Sequence, residues 1–266
     1  MYAAHLEAHL SLRLFVAHAF ILSQRALEVE ILHSRMSQQR QDLQSLLSKK
    51  TALLTLNSVN AIPTLLEGNP SKVVPELANL YAPSLISMGT HGRGSLARGM
   101  IGSLSEQMLW TTRCPSLAVG PHVPPVSSSS FPFKRILYAA DSAEAAPPAA
   151  ELAMSFADMC GAEIDVLSLT GRHSILHPNR LTELRSHSFR ALEGLSPAQR
   201  TQLASQHADS ADDKAHDRIL ESIRERSIDL LVVDIRETTH VGLAIRTPGA
   251  FRLIVDATCP VLTTRV

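Results

Sequence analysis

The stretch MGTHGRGSLARGMIGSLSEQ, residues Met88 to Gln107, decides how the chain is read. Its glycines fall as Gly89, two residues, Gly92, nine residues, then Gly102-Ser103. Upstream, Leu85-Ile86-Ser87-Met88 has the apolar run of a buried strand. Downstream, a helical run from Ser103 to Thr112 ends at Cys114-Pro115, and a further short strand covers Ser116 to Val119. Glycine lets a backbone approach an oxyanion with no Cβ in the way, and a helix N-terminus offers free N–H donors at the positive end of its dipole. Strand, glycine loop and helix in that order suit a nucleotide phosphate.

The spacing is neither the dinucleotide fingerprint nor a Walker A loop, which needs Lys and then Ser or Thr directly after the last glycine. It resembles instead the universal stress protein family, whose ATP-binding members carry G-x2-G-x9-G-[ST] after a fourth strand, then a helix and a Cys-Pro-Val-Leu type fifth strand. Gly89, Gly92, Gly102 and Ser103 match that motif residue by residue, and Cys114-Pro115-Ser116-Leu117-Ala118-Val119 matches the start of the last strand. The resemblance implies ATP as ligand, with Met88, Gly89, His91, Gly92, Gly102 and Ser103 around it. His91 is either a phosphate neighbour or a loop residue tolerant of unusual backbone angles. Arg93 and Arg98 either support the phosphate charge or are simply solvated. The glycines also have a purely structural reading, as a tight turn packed against a helix.

Working outward, the same unit is used twice. Pro83 to Met88 lies over Ile228 to Val233, and at the same offset Cys114-Pro115-Ser116-Leu117 lies over Cys259-Pro260-Val261-Leu262. Between the copies, HVPPVSSSSFP has no apolar periodicity and reads as a linker. The expected domains are therefore residues 1–121, a linker 122–132, and residues 133–266. The second copy starts with a strand from Lys134 to Ala140, a helix from Glu144 to Cys160 and a strand from Glu163 to Leu169. Laying that second strand over Leu12 to His18 leaves the first copy with no counterpart of residues 133–151. The first copy is thus expected to begin inside its own first helix, either because the start shown lies downstream of the true one or because the domain is damaged.

In the first copy we expect a polar helix over Ser23 to Lys50, a strand over Ala61 to Leu66 and a helix over Ser71 to Tyr81 after the turn Gly68-Asn69-Pro70. In the second, a helix over Asp213 to Arg226 leads to the strand Ile228 to Val233, with the third strand weakly marked over Gln202 to Ala208. Apolar strands alternating with helices specify an α/β fold: two tandem open, mainly parallel, doubly wound five-stranded sheets, the first lacking its first strand. The late strands Ser116 to Val119 and Val261 to Thr264 are short and apolar, so they are expected to join the two copies as an intramolecular pseudo-dimer, with a homodimer left open.

The bulk composition bounds the rest. Among 266 residues, Lys plus Arg and Asp plus Glu number 25 each, so no global field draws the chain to nucleic acid or an anionic membrane. The apolar stretch Leu12 to Leu22 is broken by Arg13 and His18 and is shorter than the roughly 20 residues of a membrane span. No basic region precedes an apolar one at the N-terminus, so a signal peptide is not expected and the cytoplasm is the default compartment. Cys114, Cys160 and Cys259 lack metal-knuckle or disulfide spacing, and the pair His5 and His9 reads as an amphipathic surface.

The second copy departs from the motif. Asp234 stands opposite Gly89, Glu237 opposite Gly92, and Thr247-Pro248 opposite Gly102-Ser103, which puts carboxylates where phosphates would lie. Conversely, Asp141 matches the family aspartate at the end of the first strand that contacts the adenine and ribose end, or in the plainer reading caps a helix with Ser142. Each copy therefore holds half a site. The expected function is a stress-response or regulatory protein with ATP in the first copy. The alternatives are a nucleotide-independent interaction module and, last, a slow ATP hydrolase, for which the sequence offers no nucleophile and base, no Walker B carboxylate and no metal cluster.

Overall fold

The computed structural model describes residues 2–10, 12–21, 29–56, 58–82, 84–90, 101–112, 114–126, 133–140, 148–168, 173–176, 211–235 and 247–265. They form two compact units, residues 1–83 and 84–266.

The first unit runs α1 (Tyr2–Leu10), β1 (Leu14–Phe20), α2 (Val29–Thr55), β2 (Ala61–Glu67) and α3 (Pro70–Tyr81). β1 and β2 pair in parallel from Leu14↔Ala61 to Phe20↔Glu67. β1 begins two residues later than the repeat suggested, because the Leu12 N–H closes the turn after α1 by donating to the Glu7 carbonyl. The ladder opens where Leu14 N donates to Asn60 O. The buried Glu7 fixes the same corner, its Oε1 accepting from Asn60 N at 2.9 Å. α3 starts where turn chemistry placed it: Asn69 caps it by accepting from Ser71 N, Pro70 fills its first turn, and Ala82 ends it in the left-handed region at φ 40°. α2 runs on past Lys50 to Thr55, because Leu47 and Thr51 lie one turn apart and are both buried.

The second unit contains β3 (Ile86–Gly89), α4 (Ser103–Thr111), β4 (Ser116–Val119), β5 (Arg135–Ala140), α5 (Pro148–Cys160), β6 (Glu163–Ser168), β7 (His173–Leu176), α6 (Ala211–Glu225), β8 (Leu230–Ile235), α7 (Thr247–Asp256) and β9 (Val261–Arg265). Its seven-stranded sheet has the order β3-β4-β9-β8-β5-β6-β7. All neighbours are parallel except β4 with β9 and β6 with β7. β5, the first strand of the second copy, is central, and its Ile136, Leu137 and Tyr138 are fully buried. Asp229 holds its start, one carboxylate oxygen accepting from both Lys134 N and Arg135 N.

The late strands of the two copies are hydrogen-bonded neighbours, antiparallel at Ser116↔Thr263, Leu117↔Leu262 and Ala118↔Val261. One core runs through this junction, joining Leu109 and Ala118 of the first copy to Val233, Leu253 and Ile254 of the second. Trp110 meets Phe251 edge to face at 5.9 Å, and the Arg265 guanidinium donates to the Trp110 carbonyl. The fold is α/β and parallel-dominated, as expected, but its strands are grouped as a two-stranded and a seven-stranded sheet, not as one four-stranded and one five-stranded sheet. Among the described residues the first copy supplies β1 to β4, with β1 and β2 in the two-stranded sheet and β3 and β4 at one end of the seven-stranded sheet. In the second copy the strand following β6 is the antiparallel β7, reached within a few residues, and the weakly marked Gln202 to Ala208 lies outside the described residues.

Candidate functional site

The chain leaves β3 at Gly89 and returns at Gly102, the N-cap of α4. The segment between, 91–100, with His91, Gly92, Arg93 and Arg98, lies outside the described residues. Its two ends are tied together. Gly102 N donates to Thr90 O at 2.8 Å, and the Ser105 hydroxyl on the first turn of α4 donates to the Gly89 carbonyl at 2.9 Å. Thr90 is buried and anchored in turn by its N–H, which donates to Val119 O on β4. Met88, Gly89, Gly102 and Ser103 are thereby brought to one end of β3, at the N-terminus of α4.

The two described motif glycines have different reasons to be glycine. A Cβ on Gly102 would lie 3.2 Å from the Thr90 carbonyl oxygen, so the side of the residue facing the strand end is already filled. A Cβ on Gly89 would meet nothing within 4 Å, and its backbone is not in the left-handed region. No turn or close packing among the described residues therefore accounts for glycine at 89. Open space in front of a glycine backbone is what an approaching ligand requires. α4 begins without a side-chain cap, since Gly102 has none to offer, so its first N–H groups keep the donor capacity and the positive dipole end that an anion uses.

The second copy carries a different end at the matching place. Asp234, opposite Gly89 in the repeat, is the last residue but one of β8, where its Oδ1 accepts from Ala149 N at 3.2 Å near the start of α5. A carboxylate of the chain itself thus takes a helix N-terminal donor in this copy. Asp141 and Glu237 lie outside the described residues. The Asp234 contact was not foreseen, and its signal was the charged residue standing where the other copy has glycine.

Among the described residues no group of three or more His, Cys, Asp or Glu side chains is placed to hold a metal ion. No helix of the described residues is long and apolar enough to cross a membrane. The three cysteines are free; burial pushes the Cys160 and Cys259 thiols up to about 12 and raises Cys114 as well. Another glycine matters more than the sequence suggested. At Gly120, just after β4, a Cβ would sit 2.2 Å from the Ile254 carbonyl oxygen of α7, so the two copies touch there backbone to backbone.

The sequence profile of the universal stress protein family matches residues 1–120 and again 132–265. The chain belongs to the universal stress protein family. Solved structures of similar fold include a universal stress protein from Archaeoglobus fulgidus DSM 4304, 16% identical, with a TM-score of 0.60 over 99% of this chain and 90% of that one. A putative universal stress protein from Pseudomonas aeruginosa UCBPP-PA14 is 13% identical, with a TM-score of 0.55 over 99% and 86%. A functionally unknown protein from Pseudomonas aeruginosa PAO1, also 13% identical, superposes with a TM-score of 0.56 over 99% and 85%. No curated protein matches the chain. This universal stress protein thus shares its tandem fold with the solved relatives, and its first copy alone keeps the full glycine spacing.

Proposed function

We propose that this universal stress protein is a stress-response or regulatory protein that takes up ATP in its first copy, between the end of β3 and the N-terminus of α4. The observation that carries the reading is Gly89, a glycine with no conformational or packing need among the described residues and free space before it. Met88 and Gly89 would line the strand side, and the N–H groups of Ser103 and the next residues would meet the phosphates, with His91 and Gly92 completing the loop. ATP supplies charge and shape to this end of the sheet; no hydrolytic step is assigned. The second copy is the nucleotide-free partner, because the Asp234 carboxylate repels a phosphate there and engages α5 itself. The pairing of β4 with β9 supports an intramolecular pseudo-dimer, in which occupancy of one copy reaches the other through a shared sheet.

The nucleotide-independent interaction module is the second reading, favoured by the same pairing, which needs no ligand. Calorimetric titration of ATP into the full chain and into Gly102→Val separates the two. The added side chain collides with the Thr90 carbonyl and displaces the start of α4, so affinity should fall at least tenfold. Equal affinity in the two proteins overturns the assignment, and no heat in either favours the interaction module.

A further inference from the structure

We propose that Ser105 is a positioning residue of the first copy's nucleotide end. On the reading of this end as an ATP site, its hydroxyl holds the peptide after Gly89 in place as the wall on which the phosphates settle. Ser105 is the third residue of α4 and is buried. Other helix hydroxyls of this chain bond back into their own helix one turn earlier: Thr51 donates to Leu47 O, Thr55 to Thr51 O, Thr111 to Gln107 O and Ser155 to Glu151 O. That is the common habit of Ser and Thr within a helix. Ser105 leaves its helix instead and donates to Gly89 O, 16 residues earlier, at 2.9 Å.

The N–H of the same peptide unit, on Thr90, donates to Val119 O at 3.1 Å. Both polar groups of the Gly89–Thr90 peptide are therefore engaged, the carbonyl by α4 and the N–H by β4. Glycine needs that restraint, because without a Cβ its backbone moves among more conformations than that of any other residue. A carbonyl oxygen left unpaired at this end would also turn the negative end of its dipole on an arriving phosphate, whereas one that accepts from Ser105 is occupied. A wall already held in its binding geometry costs less entropy to order when the ligand arrives.

The repeat separates this role from helix packing. At the offset that lays Gly89 over Asp234, Ser105 lies over Ala250 of α7. Ala250 is fully buried and packs in the same core as Leu253, Ile254 and Val233, so the equivalent helix seats on its sheet with a methyl group and no hydroxyl. The hydroxyl occurs in the copy with the open glycine. Both are replaced in the copy whose carboxylate engages α5.

The test is calorimetric titration of ATP into the full chain, into Ser105→Ala and into Ser105→Thr, with amide hydrogen exchange of each protein free of ATP. Ser105→Ala should bind ATP about fivefold more weakly, the weight of one hydrogen bond, and Ser105→Thr, which keeps the hydroxyl, should bind within about twofold of wild type. Without ATP, the Thr90 amide should exchange about fivefold faster in Ser105→Ala while residues 230–235 exchange as in wild type, a local change that a general loss of stability would not give. Equal affinity of wild type and Ser105→Ala, unchanged exchange at Thr90, a loss that Ser105→Thr does not recover, or failure of Ser105→Ala to fold each overturn the proposal. Absence of ATP heat in wild type is a distinct failure, since it removes the ATP reading itself and the role of Ser105 with it.

Discussion

Gly89 and Gly120 are the same residue type with opposite tasks. Gly89 stands before open space, whereas Gly120 is pressed on the Ile254 carbonyl. Gly120→Ala should therefore destabilise the second unit by about 1–3 kcal/mol, the usual cost of overpacking, seen as a lower urea midpoint. Gly89→Ala should leave the unfolding free energy within about 0.5 kcal/mol of wild type and weaken ATP binding instead. Loss of stability in Gly89→Ala would mean that packing explains this glycine after all. The thiols give a pH signature. Cys160 and Cys259 are raised by burial from 9.0 to about 12, so in the unfolded chain they ionise first. The stability held by the neutral thiols is fully present below about pH 9 and lost as pH rises towards 12. A Cys160→Ala, Cys259→Ala variant should lose less stability than wild type between pH 8 and 10, and an equal loss would contradict this. At this scale the motif residues were legible in the sequence, since their spacing is itself the signal. Gly120 was not, because its neighbour Ile254 is far along the chain and no local pattern marks a backbone contact.

Elements were legible where turn and cap chemistry bounded them. Ser116–Val119 falls where Cys114-Pro115 and Gly120 enclose it, and α3 falls between Asn69-Pro70 and Ala82. Less bounded elements moved: β1 slid by two residues because the turn after α1 consumed Leu12. β8 likewise begins at Leu230, since the Asp229 side chain is occupied with the start of β5. Antiparallel β7 was missed, as four residues beginning with histidine carry no strand period. The Asp234 contact with α5 yields a prediction of its own. Asp234→Ala removes a helix N-terminal acceptor and should cost about 0.5–2 kcal/mol. By contrast, Asp234→Asn keeps the acceptor and should recover most of that loss. If the alanine variant is as stable as wild type, Asp234 is not holding α5.

At the scale of the molecule, the repeat and the meeting of its two late strands were visible from sequence, but the division of the first copy's strands between two sheets was not. Which strand lies beside which depends on pairings between residues far apart in the chain, and the decisive one is Leu117 against Leu262, both fully buried. Leu117→Ala should cost about 2–5 kcal/mol through the cavity it leaves. It should lower the melting of the second unit as a whole, because one core crosses the β4–β9 junction. The asymmetry of the two copies is the centre of the account: an open glycine end in one, a carboxylate already engaged in the other. Amide hydrogen exchange of the full chain with and without saturating ATP tests it most directly. The account predicts slowed exchange at residues 86–90 and 101–112, with residues 230–235 and 247–256 unchanged. Slowing in the second copy, or none anywhere at millimolar ATP, would contradict it.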